Sequence, residues 1–335
     1  MTDSLPIFTI SLPTPWPAVG PVHAYLVRQD PITLIDTGMN NAESREALLV
    51  GLRAAGVGLS DIKRILLTHA HRDHCGQAGW VQEQTGAELW MHPDEAGKAE
   101  QTDWWQAGRA QALDSAGVPP EMQALMEHWW RESRRQGGAL GPWRPLADGL
   151  RVVFDAFDLE AVHLPGHALG HTGFWHADSG VLIGGDHLIQ GVSPNPVMEP
   201  VPAGHPAAVP HAPHRALTLD QFLRALERVA ALPVRRVLPG HGPVITDHQA
   251  LVRTYLARHE RRLDLLCQRL GAGTTAFAVS REVYPRVTEG DLFLALSEVL
   301  AHLDLLVVRG RATVTPGAPG AGDIYRATSA LYAEK

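Results

Sequence analysis

The chain has 335 residues, 45% of them apolar and 19% charged, with a formal net charge of −7. This composition can bury a substantial core in one large domain or two smaller ones. Its acidic balance does not draw polyanions, and no apolar run reaches the roughly 20 residues that span a membrane. The charge is uneven: residues 1–250 hold 18 Lys and Arg against 27 Asp and Glu, whereas residues 251–335 hold 11 against 9. The opening Met1-Thr2-Asp3-Ser4-Leu5-Pro6 lacks the basic segment and apolar core of a signal peptide. Cys75 and Cys267, the only cysteines, make no disulfide framework and fit a reducing compartment. A cytoplasmic location without membrane attachment is the expectation.

Val22–Val27 and Ile32–Ile35 read as strands flanking an Asp30-Pro31 turn, and the second runs into Asp36-Thr37-Gly38. Asn40 or Asn41 is placed to cap a helix carrying Ala47, Leu48 and Leu52. The strand Ile65–Thr68 then ends in His69-Ala70-His71-Arg72-Asp73-His74. Residues 77–85 read as a helix and Ala87–Met91 as a strand, the alternation of an α/β layered fold. Residues 98–147 break the rhythm with a helical insertion that holds Trp104, Trp105, Trp129, Trp130 and Trp143, a Gly117-Val118-Pro119-Pro120 break and a glycine-rich exit at 137–141. Either a lid forming an apolar substrate pocket or simple packing accounts for those tryptophans.

Strands are expected again at Leu150–Phe154, Leu159–His163, Phe174–His176 and Val181–Ile183. Pro165-Gly166-His167-Ala168-Leu169-Gly170-His171 lies between the second and third, and Gly184-Gly185-Asp186-His187 follows the fourth. Seven prolines in residues 191–214 predict an irregular loop, with His205, His211 and His214 expected to be solvated rather than at the edge of the site. A helix over Leu219–Leu232 and a strand over Arg235–Leu238 lead to Pro239-Gly240-His241-Gly242. From about His248 a long helix runs to Leu270, followed by helical patterns at Val279–Tyr284 and Asp291–Asp304 and a hairpin over Leu305–Val314 with an Arg-Gly turn. The leucines Leu303, Leu305 and Leu306 read as exposed or as a small local core. Helix, helix, helix, hairpin is the order of a winged helix, so the boundary is drawn at 250: a catalytic domain over 1–250 and a winged-helix-like domain over 251–335.

Four motifs share one grammar. A short apolar strand ends, a small residue lets the backbone turn, and a metal-capable side chain follows. His69, His71, Asp73, His74, His167, Asp186 and His241 form that set. Imidazole nitrogens and carboxylate oxygens suit zinc, manganese or iron. One ion takes three or four protein ligands, so seven predict two ions, with one carboxylate bridging and a hydroxide between them.

His-x-His-x-Asp-His, Pro-Gly-His, Gly-Asp and Pro-Gly-His-Gly, in that order after an Asp-Thr-Gly strand end, resemble the metallo-β-lactamase superfamily over roughly residues 15–245. The tail and Ser193-Pro194-Asn195 resemble its lactamase-β-like hydrolases. The resemblance implies a four-layered αβ/βα sandwich with the site on one edge. It implies His69, His71 and His167 on one ion, Asp73, His74 and His241 on the second, and Asp186 bridging. Asp36 would orient ligand histidines, and His171 would support its loop. The lactamases proper commonly carry cysteine where this chain has Asp186, which points toward the glyoxalase II, lactonase and metal-dependent nuclease branch. Cys75 and His187 stay outside the ligand set.

The expected function is a dinuclear metal-dependent hydrolase, with two divalent ions (zinc first, manganese or iron as alternatives). Its bridging hydroxide would attack a small acyl substrate such as a thioester or lactone, and Asp73 would serve as the catalytic proton acceptor. The alternative is an endonuclease on single-stranded RNA or DNA, motivated by Arg258, Arg261, Arg262 and Arg269 on one helix and Arg309 and Arg311 at the hairpin. A solvated, salt-bridged helix face explains these arginines more cheaply. The tail could also serve a homodimer.

Overall fold

The computed structural model describes residues 5–17, 19–135, 139–192, 194–318 and 320–328. Met1–Ser4, residues 137 and 138 of the glycine-rich exit, Ser193 and the side chain of Trp129 lie outside the described residues. The chain forms two compact units. The first holds Met1–Gln101, Glu132–Pro194 and Ala225–Val252, and the second holds Thr102–Arg131, Asn195–Arg224 and Arg253–Lys335.

In the first unit, β1 (Ile7–Leu12), β2 (Val22–Val27), β3 (Thr33–Ile35), β4 (Arg64–Leu66), β5 (Glu88–Met91) and β6 (Trp143–Pro145) form one sheet in that order. The next four strands are β7 (Arg151–Val153), β8 (Asp158–His163), β9 (Thr172–His176) and β10 (Val181–Gly185). Together with Arg236–Pro239 they form a second sheet. The helices are α1 (Ala42–Ala54), α2 (Arg72–Cys75), α3 (Ala78–Thr85) and α4 (Ala96–Ala99). Asn41 caps α1, its side chain accepting the Ser44 amide at 2.8 Å. β1 and β6 are additions to the predicted elements. β1 is an edge strand with only alternate residues buried, and β6 is a three-residue piece inside the segment expected to be helical.

The period of two along the strands builds two cores. Val22, Ala24, Leu26, Leu34 and Ile65 face outward beneath a layer that includes Leu48 and Leu52 of α1 and Val81 of α3. Tyr25, Val27, Ile35 and Leu66 face the opposite way and meet Val152, Leu159, Ala161, Phe174 and Ile183 of the second sheet. Both faces of β2–β4 are therefore covered, which is why they read as continuous apolar runs.

This topology collects the loop ends. β3 and β4 are parallel, so the residues after each leave from the same edge. In the second sheet β8 and β10 are both antiparallel to β9, and Arg236–Pro239 is parallel to β10, so all three end on one side. The Thr172 amide donates to the Thr68 carbonyl at 2.8 Å, and the Tyr25 hydroxyl donates to the Pro239 carbonyl at 2.6 Å. These bonds stitch the two edges together, so Asp36, His69, His167, Asp186 and His241 all emerge along one rim.

The second unit contains α5 (Asp103–Ser115), most of α6 (Pro120–Arg135), a ribbon of β11 (Ala208–Val209) and β12 (Ala212–Ala216), and the start of α7 (Thr218–Ala231). The strand Arg236–Pro239 is β13, and the division between units falls within α8 (His248–Arg269). α9 (Ala276–Val283), α10 (Leu292–Val308), β14 (Ala312–Thr315) and β15 (Ile324–Ala327) complete it.

Residues 102–131 of the insertion group with this unit, because Ser115 and Ala116 at the end of α5 bond Asp323 and Phe277 through the backbone. Arg109 lies 4.8 Å from the Trp105 ring centre and 3.6 Å from that of Trp130, and pairs with Glu127 at 2.8 Å. Those tryptophans pack locally.

Three expectations are corrected. Residues 191–214 are not wholly irregular, since β11 and most of β12 lie there. His211 is no solvated loop residue, because its Nε2 meets Asp304 Oδ1 at 2.9 Å. Residues 305–308 continue α10, and the hairpin is made by β14 and β15. Leu303, Leu305 and Leu306 are buried in α10, whose Leu-rich sequence is apolar nearly all round and so mimics a strand. Three helices followed by a hairpin are present. Among the described residues, no helix is long and apolar enough to cross a membrane.

Candidate metal centre

His69 follows β4, His71 is the N-cap of α2, and Asp73 and His74 lie in its single turn. His167 sits between β8 and β9, Asp186 follows β10, and His241 follows β13. All seven predicted ligands meet. Three groups have ligand atoms within 4.8 Å of one another: His69, His71 and His167; His69, His74 and Asp186; and Asp73, His74 and His241.

In the first group His71 Nδ1 lies 2.9 Å from His69 Nε2 and 3.0 Å from His167 Nε2. In the third, His241 Nε2 lies 3.2 Å from Asp73 Oδ2. Asp186 reaches both: Oδ1 is 3.3 Å from His74 Nε2, and Oδ2 is 3.6 Å from His167 Nε2 and 3.7 Å from His241 Nε2. Gly240 must be glycine, since a Cβ there would collide with Asp186 Oδ1.

The surrounding groups aim the ring nitrogens. Asp36 Oδ2 accepts from His74 Nδ1 at 2.8 Å and from the Thr68 hydroxyl at 2.7 Å, while Oδ1 accepts the Thr68 amide at 2.8 Å. Having donated its proton, the Thr68 oxygen accepts from His69 Nδ1 at 3.0 Å. His241 Nδ1 donates to the Pro21 carbonyl at 3.0 Å. In all three rings Nε2 is thereby the nitrogen turned into the cluster. The Asp186 amide donates to His171 Nε2 at 3.0 Å, so His171 braces the loop. His187 is buried and belongs to none of the three groups.

These residues fit a cation. His74 Nε2 and Asp186 Oδ1 face each other, both buried and both without a hydrogen-bond partner. Facing each other, they need a positive charge between them: the proton that, against its burial, Asp186, Asp73 and Asp36 hold on His74 well above its ordinary range, or a metal ion that takes that proton's place. The spacing among His69, His71 and His167 is also close to the roughly 3.3 Å between nitrogens on a tetrahedral zinc with bonds of about 2.0–2.1 Å. Burial, then His74 and His71, push the His69 imidazole well below its ordinary range. Burial, then Lys98 and His167, do the same to His71. Both are thus neutral, as ligands must be. Burial opposes the charged forms of Asp73 and Asp186, yet His74 and His241 hold both carboxyls below their ordinary range. Cys75 belongs to none of the groups of close ligand atoms, and burial pushes its thiol up to about 12.

Sequence reasoning missed Thr68 and Glu95. Thr68 carried a signal, because it stands directly between β4 and His69 and can relay from Asp36. Glu95 carried none, being distant in sequence from every loop it touches. A fourth group, His92, Asp94 and His163, also has close ligand atoms. Its imidazoles are stacked at 4.1 Å and 8°, so their in-plane lone pairs do not converge.

The family model of the Metallo-beta-lactamase superfamily matches residues 17–241. The "Probable metallo-hydrolase YqjP" of Bacillus subtilis is 33% identical over 310 residues, covering 90% of this chain and 92% of that protein. The "Hydroxyacylglutathione hydrolase GloC" of Haemophilus influenzae is 29% identical over 131 residues, 39% of this chain and 52% of that protein. The crystal structure of metallo-beta-lactamase family protein TTHA1429 from Thermus thermophilus superposes with a TM-score of 0.81 at 29% identity, covering 96% of this chain and 99% of that one. The chain belongs to the metallo-beta-lactamase superfamily of metal-dependent hydrolases.

Proposed function

We propose that the protein hydrolyses a small ester-like substrate, a thioester, lactone or related acyl compound, with two divalent cations, zinc foremost. The observation that carries this reading is Asp186, whose two oxygens face the His69/His71/His167 group and the Asp73/His74/His241 group together. In this assignment His69, His71 and His167 would hold one ion, Asp73, His74 and His241 would hold the other, and Asp186 would contribute to both. When bound, such a pair lowers the pKa of a shared water and polarises an acyl oxygen.

The chain supplies the rest. Asp36, Thr68 and Pro21 fix the ring orientations. Asp73, kept ionised by His74 and His241 against its burial, can accept a proton on a carboxylate oxygen during attack. No Ser or Cys nucleophile is required. Among its relatives a probable metallo-hydrolase supports hydrolysis, and a hydroxyacylglutathione hydrolase supports an acyl substrate. Elemental analysis of the purified protein, followed by a panel of acyl thioesters and lactones with and without chelator, tests it. Two ions per chain and chelator-sensitive turnover are expected, and a panel without metal-dependent turnover overturns the proposal.

A further inference from the structure

Glu95 lies at the end of the short turn Pro93–Glu95 after β5 and is wholly buried. A buried carboxylate needs partners for its charge and its lone pairs. Glu95 Oε2 accepts the Ala70 amide at 2.7 Å, between His69 and His71. Its Oε1 accepts the Gly170 amide at 2.7 Å, three residues beyond His167. Lys98 Nζ, itself buried, balances the charge at 3.1 Å from Oε2. The approach is close enough to dictate residue 170: a Cβ on Gly170 would lie 2.8 Å from Glu95 Cγ and 2.9 Å from His92 Cβ.

We infer that Glu95 is a positioning residue that clamps the His69–His71 loop to the His167 loop and sets the affinity of that one ion site. The inference rests on the two-ion reading above. His74 and His241 are aimed by other contacts, Asp36 and Pro21, so loss of the clamp acts on one site and spares the other. Glutamine at 95 keeps the shape but offers one acceptor oxygen, turns an NH2 toward one of the two amides and removes the carboxylate charge that faces Lys98.

The test titrates metal-free wild type, Glu95→Gln and Gly170→Ala with zinc against a chromophoric chelator, using His167→Ala to mark which binding event belongs to the first group. Circular dichroism and amide exchange at Ala70 and Gly170 accompany it. In Glu95→Gln, the event that His167→Ala abolishes weakens 10–100-fold, the other event holds, and the two amides lose protection. Gly170→Ala weakens the same event. Two undisturbed events in Glu95→Gln, or equal weakening of both alongside a general loss of apo stability, overturn the clamp. A wild type that takes up fewer than two ions overturns the two-ion reading instead, and the amide exchange then decides the clamp by itself.

Discussion

Asp186 is the side chain on which the proposed centre turns, because its carboxylate faces ligands of both groups. Replacing it with alanine removes both contacts at once. Asp186→Ala is therefore expected to lose metal stoichiometry and turnover together, measured by elemental analysis and substrate hydrolysis on one preparation; two retained ions with full activity refute the bridging assignment. Asp36 acts one step further out. It holds His74 directly and His69 through Thr68, at 2.8 and 2.7 Å. Asp36→Asn keeps the volume but loses one acceptor oxygen, so zinc affinity is expected to fall 10–100-fold with the fold intact, read by chelator competition. The seven candidate ligands were legible because each stands beside a strand end in a short local motif. Asp36 was legible for the same reason. Glu95 was not, since what defines it is two backbone amides from loops distant in sequence, and no local pattern encodes that meeting.

At the scale of elements, legibility followed periodicity. β2, β3, α1, α8 and the strands of the second sheet carry clear apolar patterns and lie where their sequences place them, within a residue or two. α10 fails the same test because it is buried on nearly every side, and a continuous apolar run does not distinguish helix from strand.

Its polar positions carry the tertiary information. Arg215 Nη2 and Nε meet Asp304 Oδ1 and Oδ2 at 2.7 and 2.9 Å, and the guanidinium also reaches Ser115 and Tyr325. One buried ion pair thus ties α5, β12, α10 and β15. Asp304→Asn strands the Arg215 charge and is expected to cost about 3–5 kcal/mol, measured by denaturant unfolding.

His259 and His302 in α8 and α10 make a further element-scale prediction. Burial pushes each down to about 3, helped for His259 by His302 and for both by Arg258 and Arg262, while Glu298 opposes. In the unfolded chain both protonate near 6.5. Their stability contribution is thus complete above that pH and is lost as pH falls from about 6.5 toward 3. The loss is about 1.4 kcal/mol per pH unit for each histidine. A His259→Phe, His302→Leu double variant is expected to flatten the acid limb of the stability curve, and an unchanged slope contradicts it.

For the molecule as a whole, charge supports the proposed acyl hydrolase over a nuclease sharing the same site. The net charge of −7 repels a polyanion at long range. The arginines of the C-terminal region would have to overcome that, and several are engaged. Arg269 pairs with Glu282, Arg309 with Glu260 and Arg311 with Asp264, each at 2.7 Å, and Arg262 lies 3.5 Å from Glu298. A surface ion pair contributes little stability, but an arginine already facing a carboxylate offers a phosphate less attraction than a free one. Nucleic-acid binding through phosphates releases counterions, so its affinity falls roughly 10³–10⁵-fold between 50 and 200 mM salt for six to ten contacts. Filter binding of single-stranded RNA across that range is therefore expected to show weak retention with a shallow salt slope. Tight binding that collapses with salt would move the substrate from an acyl carbon to a phosphodiester, with the seven ligands unchanged.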